Sequence, residues 1–223
     1  MSLMLLIAAA GAATVSYIAV RDHRAAERAR HALLDDCAPA LDRSTLSLGE
    51  DGFPQLSGSH RGHGALVQLI CDTMTMRRLP QLWLSTTLLD RNPGLPGFSV
   101  LVRHCGTEFY ALTSHFPRRF DAPPGFPHEV LVRGDDDAGL LIAALAPLVA
   151  DVLADPRVKE VAVTDRGMRI VRQAAEGKRG DHLLLRQSVF EEAHIARSDV
   201  AAVIDKLQAM RAVTATHRQA AAA

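Results

Sequence analysis

The longest apolar run stands at the start of the chain, where no charged side chain occurs from Leu3 to Val20. Eighteen helical residues span roughly 27 Å, close to the ~30 Å hydrocarbon core of a bilayer. The pattern predicts an uncleaved, single-pass signal-anchor over residues 1–20. A cleaved signal peptide is the alternative, although only Met1 and Ser2 stand where such a peptide carries basic residues.

Small residues recur along the predicted span. Ala8 and Ala12 lie four positions apart, so they share one face of a helix. Membrane helices associate where small residues let their backbones approach closely. These two alanines therefore predict an interaction surface for a protein partner or a second copy. The alternative is that alanine is simply a good helix former.

Arginines follow the apolar run at Arg21, Arg24, Arg28 and Arg30, whereas only the α-amino group precedes it. Cationic side chains next to a span are retained on the cytoplasmic side. We therefore expect a protein of the cell membrane whose soluble part is cytoplasmic.

The chain beyond the anchor divides by composition. Residues 21–38 are rich in helix formers and predict a juxtamembrane helical stalk. Pro39 and the polar positions after it predict a linker over residues 39–52. We predict a globular domain over residues 53–214 and a disordered tail over residues 215–223.

Within the globular part, short runs of β-branched and apolar residues predict a β-rich domain. Two apolar helical patterns, residues 138–155 and a closing helix from Ser198 or Asp199, are expected to pack on the sheet. The predicted class is α+β, with antiparallel strands and two helices on one face. The predicted strands are residues 53–60, 64–71, 81–89, 98–103, 108–113, 128–134, 158–164, 168–173 and 183–190.

The segment SGSHRGHG, residues 57–64, raises three hypotheses. Its glycines fit no phosphate-binding motif, and two histidines are too few for a zinc site. Gly62 suits a residue with positive φ, and Gly58 suits a bulge or a close backbone approach. We predict a hairpin turn.

Composition narrows the function classes. The formal net charge is zero, which argues against nucleic acid as a partner. Cys37, Cys71 and Cys105 are odd in number and match no compact zinc motif, so we expect a reducing compartment and no metal. His104 and Cys105 are neighbours whose side chains point apart on an extended chain, so we predict a turn rather than a catalytic pair.

A proline-rich loop, residues 115–129, carries three of the seven phenylalanines. Such a loop either packs over the core or meets a partner or membrane. We favour packing and keep Phe116, Arg118, Arg119 and Phe120 as the alternative interaction surface.

No catalytic constellation or cofactor motif is evident, so we predict that the protein is not an enzyme. The leading hypothesis is a membrane-anchored cytoplasmic domain that acts as an accessory or protein-interaction module. The alternative is a membrane-tethered domain that binds a small molecule or a lipid. An apolar pocket of several hundred Å³ would favour the alternative, and a filled core would favour the leading hypothesis.

Overall fold

The computed structural model describes residues 2–73, 79–177, 190 and 193–221; for residues 2–6, 8, 9, 220 and 221 it describes the backbone alone. These residues form one large antiparallel sheet and three α-helices, so the predicted α+β class is confirmed. The helices are α1 (Ser2–His31), α2 (Gly139–Leu153) and α3 (Arg197–Ala221), and 3-10 helices cover Ala32–Ala40 and Leu112–His115.

Nine strands of the described chain form the sheet, in the order β1-β2-β3-β4-β9-β8-β5-β7-β6, and all neighbours are antiparallel. The predicted strand over residues 183–190 falls almost entirely outside the described residues. The strands are β1 Asp42–Leu48, β2 Pro54–His60, β3 His63–Asp72, β4 Gln81–Leu89, β5 Phe98–Val102, β6 Arg118–Phe120, β7 Val130–Gly134, β8 Val158–Thr164 and β9 Gly167–Glu176.

The main core lies between one face of the sheet and the helices. α2 and α3 pack on this face and on each other, and the first 3-10 helix covers its β1–β2 end. Leu141 and Leu145 of α2 and Ile204 and Leu207 of α3 are completely buried there. The two predicted helices are thus confirmed. α2 runs through Pro147 as one helix.

The transmembrane span predicted over residues 1–20 is not supported. The predicted residues form the first two thirds of α1, but within the described part of the chain no helix is both long and apolar enough to cross a membrane. α1 continues unbroken to His31, and its described side chains from Ala10 to Ala25 are exposed. Arg30 packs over the ring of Phe53 at 5.2 Å and joins the end of α1 to the domain.

The segment predicted as a linker, residues 39–52, contains strand β1. Leu46 and Leu48 alternate with Thr45 and Ser47, which is the period of a strand with two different faces. β1 pairs with β2 at one edge of the sheet. At the other end of the chain, residues 215–221 of the predicted disordered tail continue α3.

The SGSHRGHG segment forms the β2–β3 turn, as predicted. His60 pairs with His63, and the two residues between them, Arg61 and Gly62, have φ values of 49° and 83°. A two-residue turn with both φ positive matches the twist of the paired strands. At Gly58 a Cβ atom would lie 2.8 Å from the Cβ of Leu41, so this glycine permits the close approach expected of it.

Candidate functional site

A β-bulge determines which side chains occupy the second face of the sheet, the face turned away from the helices. Val158 pairs with Arg172 and Glu160 pairs with Val171, so Lys159 is an extra residue in β8. Regular strands alternate their side chains between faces, and a bulge interrupts the alternation. Lys159 and Glu160 therefore both lie on the second face, where both are buried.

The segment between β5 and β6, residues 103–117, covers part of this second face; we call it the strap. The sequence predicts a strand over residues 108–113. That prediction is wrong, because these residues form no strand in the structure, and β5 pairs instead with β7 on one side and with β8 on the other. With both of its edges occupied, β5 leaves no position for the strap in the sheet.

Glu160 binds the middle of the strap to the sheet. Its fully buried carboxylate accepts hydrogen bonds from the hydroxyl of Ser99 at 2.8 Å and the backbone N–H of Leu112 at 2.7 Å. The guanidinium of Arg169 donates to the other carboxylate oxygen and, at 2.8 Å, to the carbonyl of Tyr110. Both charges of this buried pair are therefore hydrogen-bonded, as buried ions require.

Glu108 binds the start of the strap in the same way. Its side chain is only 4% exposed, and its carboxylate accepts a hydrogen bond from the ammonium of Lys159 at 2.7 Å. It also accepts the backbone N–H groups of Cys105 and Gly106, each at 2.9 Å, and the thiol of Cys105 at 3.0 Å. Gly106 has a φ of 83°, which suits the turn that aims both N–H groups at the carboxylate.

The electrostatics of Glu108 fit an anchor better than a proton acceptor. Burial alone would raise its pKa, but the hydrogen bonds from Cys105 and Lys159 outweigh burial and lower the pKa from 4.5 to about 2. A carboxylate with so low a pKa stays ionised at neutral pH and is a weak base.

A cleft of about 180 Å³ opens beside this anchor, at the ends of β3, β4 and β9. Its lining is mainly polar and includes carboxamide, thiol and aromatic groups. The charged residues of the lining are Asp72, Glu108 and Glu176, which are acidic, and Arg103 and Lys159, which are basic.

Trp83 and Tyr110 are the aromatic residues of the cleft. Their ring centroids lie 5.6 Å apart, and both rings pack against Val171. Each residue is only 8% exposed, yet Trp83 Nε1 and Tyr110 Oη have no hydrogen-bond partner in the part of the chain that the structure describes. Buried polar groups are nearly always paired, so these two donors are suited to bind an acceptor that enters the cleft.

Tyr110 keeps its proton at neutral pH. Burial raises the pKa of its hydroxyl, and the negative charges of Asp72 and Glu108 raise it further. Both carboxylates also line the cleft, which indicates that the hydroxyl lies on the cleft side of the ring. Tyr110 is thus a neutral hydrogen-bond donor there.

The predicted surface on the proline-rich loop is separate from the cleft. Phe116 is buried, with its ring against Gly97, and Phe120 is half-buried against the core. Arg118 lies over the Phe120 ring at 5.0 Å, and both Arg118 and Arg119 are exposed on the edge strand β6. The favoured prediction, aromatic packing, is thus confirmed for the phenylalanines, whereas partner binding by this surface stays a prediction.

The other predicted surface lies on α1, far along the chain from the cleft residues. The side chain of Ala8 is outside the described residues, and Ala12 is exposed. Their role in association stays a prediction.

The three cysteines are all free thiols. Burial raises the pKa of Cys37 to about 11, with further contributions from Asp36 and Asp199, so this thiol is inert. Cys105 is exposed in the strap turn, and its neighbour His104 lies 3.3 Å from Glu108. Over the described residues, no three His, Cys, Asp or Glu side chains are grouped as metal ligands.

The sequence alone did not predict that the residues of the cleft lie together. The one local signal was the pair Lys159-Glu160, since two adjacent charges inside the apolar run VKEVAVT break the alternation of a regular strand. The partners of these charges come from the strap, about 50 residues earlier in the chain.

Comparison of the chain with protein-family models, with curated proteins and with solved structures gives no match.

Proposed function

We propose that this chain is a non-enzymatic, membrane-tethered domain that binds a small polar molecule in the cleft beside the strap. The observation that carries the proposal is a pair of buried donors, Trp83 Nε1 and Tyr110 Oη, for which the described residues supply no acceptor. Leaving such a group unsatisfied costs roughly 1–3 kcal/mol. A ligand that accepts both hydrogen bonds removes this cost, and this gain would stabilise the complex.

The dimensions of the cleft favour a small polar ligand over a lipid. Ligand sites for drug-sized molecules measure roughly 300–1,000 Å³ and are mostly apolar. This cleft measures about 180 Å³ and is lined by five charged side chains. Acyl chains gain little from such a lining, whereas a compact polar molecule finds several hydrogen-bonding groups.

Binding without catalysis agrees with the groups that line the cleft. The carboxylate of the strap, Glu108, is a weak base because its pKa is about 2. The thiol of Cys105 donates its hydrogen bond to that carboxylate. Among the described contacts, no imidazole accepts a hydrogen bond from this thiol, and the neighbouring His104 contacts Glu108 instead. These groups hold the strap in place.

The membrane tether is supported by the sequence from Leu3 to Val20, which carries no charge, and by the arginines that follow it. Part of this run lies outside the described side chains. The described apolar residues of α1 are exposed, with Val15 68% and Ile18 42% accessible, and burial in a bilayer would remove this surface from water. The arginine flank supports a cytoplasmic position for the soluble domain.

The sole tryptophan of the chain, Trp83, makes the proposal directly testable. We would screen the purified full-length chain against a library of small polar molecules by tryptophan fluorescence and thermal shift. A binder should change both signals. A library in which no compound changes either signal would refute the proposal.

Alkylation of Cys105 supplies the control for this screen. N-ethylmaleimide attached to this exposed thiol should obstruct the cleft and abolish the response to a binder. The Cys105→Ser variant, treated in the same way, should keep its response. An unaltered response in the alkylated wild-type protein would place binding elsewhere.

Protein interaction through α1 is a second candidate function, which the exposure of its apolar side chains favours. Here the proposed partner is a second copy, packed at Ala8 and Ala12. Ala8→Leu with Ala12→Leu keeps the helix apolar but blocks close backbone approach. Chemical cross-linking of this double variant in membranes should then no longer yield a cross-linked dimer. Unchanged cross-linking would move the search to Arg118 and Arg119.

A further inference from the structure

We infer that the outer edge of β1 pairs with the same edge of a second copy of this chain, antiparallel and in the register that sets Leu46 of one copy opposite Leu48 of the other. The sheets of the two copies then form one continuous sheet across a twofold axis. This interface is independent of the cleft and of α1.

The two edges of the sheet differ in their protection against such pairing. An edge strand presents unpaired N–H and C=O groups, and most natural edges are very short, charged, or interrupted by a bulge or a proline. β6 has three residues, follows Pro117 directly and carries the exposed Arg118 and Arg119. Residues 45–48 of β1 carry no charge and no proline, and the irregular register of β1 lies before them. Among the described strands none pairs with this edge, so it is open to a further strand.

The backbone groups of Leu46 and Leu48 point away from β2. Leu48 lies opposite Pro54, which has no N–H, and the following residue, Gly49, donates its N–H to the carbonyl of Phe53 at 2.8 Å. Hydrogen-bonded and non-hydrogen-bonded pairs alternate along an antiparallel ladder. Both leucines therefore occupy non-hydrogen-bonded positions towards β2, and their N–H and C=O groups are available to a strand on the outer edge.

The side chains of the same two leucines lie on the face of the sheet that carries the main core. Leu46 is opposite Leu56, which is fully buried in that core, and opposite residues of an antiparallel pair share a face. Even so, Leu46 is 41% exposed and Leu48 is 52% exposed. A second copy would cover each leucine with a leucine, which removes apolar surface from water.

The charges near the strand favour the inferred register. Counting along the two antiparallel chains, this register brings Arg43 of one copy opposite Asp51 of the other. A register shifted by two residues would set Leu46 opposite itself and would bring Asp42 opposite Glu50, both acidic. Opposite charges across a ladder are favourable and like charges are not. The strand is thus complementary to itself, which is what a twofold interface requires.

The ladder is short, so the association should be reversible. The twofold axis generates the pair of Leu46 and Leu48 twice, which gives about four backbone hydrogen bonds. Interfaces below roughly 1,200 Å² of total buried area are typically weak and transient. We therefore expect a monomer at low concentration and a dimer at high concentration.

Sedimentation equilibrium of the full-length chain in detergent, over a range of concentrations, tests the interface. Leu48→Lys places a charge in the ladder and removes the leucine contact, so it should weaken dimerisation by at least about tenfold. Leu140→Lys is the matched control, because Leu140 is 76% exposed on α2, and it should dimerise like the wild type. A wild-type chain that stays monomeric at every concentration, or a Leu48→Lys dimer as tight as that of the wild type, would overturn the inference.

Disulfide formation tests the register. In a Cys105→Ser background, which removes the exposed thiol, Ser47→Cys places a cysteine opposite its own copy at a non-hydrogen-bonded pair. Cα atoms of such a pair lie about 4.5 Å apart, within reach of a disulfide. Thr45→Cys is the matched control, because it is also exposed but lies four positions, roughly 13 Å, from its own copy.

Under mild oxidation Ser47→Cys should give a disulfide-linked dimer and Thr45→Cys should not. Addition of Ala8→Leu and Ala12→Leu should leave the Ser47→Cys dimer intact, which separates this interface from association through α1. Equal cross-linking of Ser47→Cys and Thr45→Cys, or none by Ser47→Cys, would show that the strands do not pair in this register. Loss of the Ser47→Cys dimer with the two α1 substitutions would assign dimerisation to α1 instead.

Discussion

Two buried carboxylates hold the strap against the second face of the sheet. Glu160 and Glu108 are both carboxylates that receive hydrogen bonds from strap backbone groups and from one cation of the sheet. Each carboxylate therefore joins the strap to the sheet. The cleft is lined by Glu108 itself and by Tyr110, whose carbonyl is bound by the arginine that pairs with Glu160, so its geometry depends on both carboxylates.

Glu160→Gln should destabilise the domain strongly. The substitution removes the negative charge that pairs with Arg169 and leaves a largely buried guanidinium without its counter-ion. Breaking a buried pair in this way costs about 3–5 kcal/mol. Chemical denaturation should report the loss, and Glu129→Gln, at an exposed position, should change stability little. A loss as small as that of the control would show that the pair contributes no net stability.

Glu108 should make stability depend on pH in the acidic range. Its pKa is 4.5 ordinarily and about 2 in the folded chain, so its contribution is complete above pH 4.5 and is lost as the pH falls towards 2. Glu108→Gln should be less stable than the wild type at neutral pH, and the difference should shrink through this interval. Denaturation curves at several pH values measure it. A constant difference would assign the effect of the variant to packing instead.

The sequence predicted few of these residue-scale features, because they depend on contacts between distant segments. Lys159 and Glu160 are visible as charges within an apolar strand. Nothing local indicates that a bulge places both on one face, since the bulge is defined by the register against β9. Asp135 is another such case, since it accepts the N–H of Gly97 at 2.6 Å, a contact between distant segments that no local pattern indicates.

At the element scale, α2 contains a residue that disfavours the interior of an α-helix. Pro147 lies inside the helix, where it has no N–H to donate to the carbonyl of Ala143. Pro147→Ala should therefore stabilise the protein by about 1–3 kcal/mol, measured as an increase in Tm. Ala144→Pro, at an exposed position of the same helix, should lower Tm. A decrease in Tm for Pro147→Ala would mean that packing on the sheet requires the proline.

Elements with strong local signals were predicted well, and elements defined by pairing were not. The β2–β3 hairpin carries its own turn chemistry in Arg61-Gly62, so its register follows from the sequence. β1 is polar and lies at a sheet edge, which made it look like a linker. The strap has β-type composition, but it lies across the sheet because both edges of β5 are occupied.

At the scale of the whole molecule, the two faces of the sheet have different roles. One face packs on α2 and α3 and forms the main core, with Leu84 and Ile170 buried in it. The other face carries the buried charges, the strap and the cleft. Stability depends on both faces, through the apolar core on one and the buried ion pairs on the other, whereas the proposed binding involves the second face alone.

The last prediction concerns the placement of the whole chain at a membrane. If residues 1–20 are the tether and the arginines from Arg21 to Arg30 stay in the cytoplasm, a reporter fused after Ala223 should behave as a cytoplasmic protein in the membrane fraction. Deletion of residues 1–20 should release the protein into the soluble fraction with an unchanged Tm, because the described side chains of this segment are exposed and contribute nothing to the core. Activity of a reporter that functions only after export would reverse the orientation, and membrane association of the deleted protein would assign the tether to another segment.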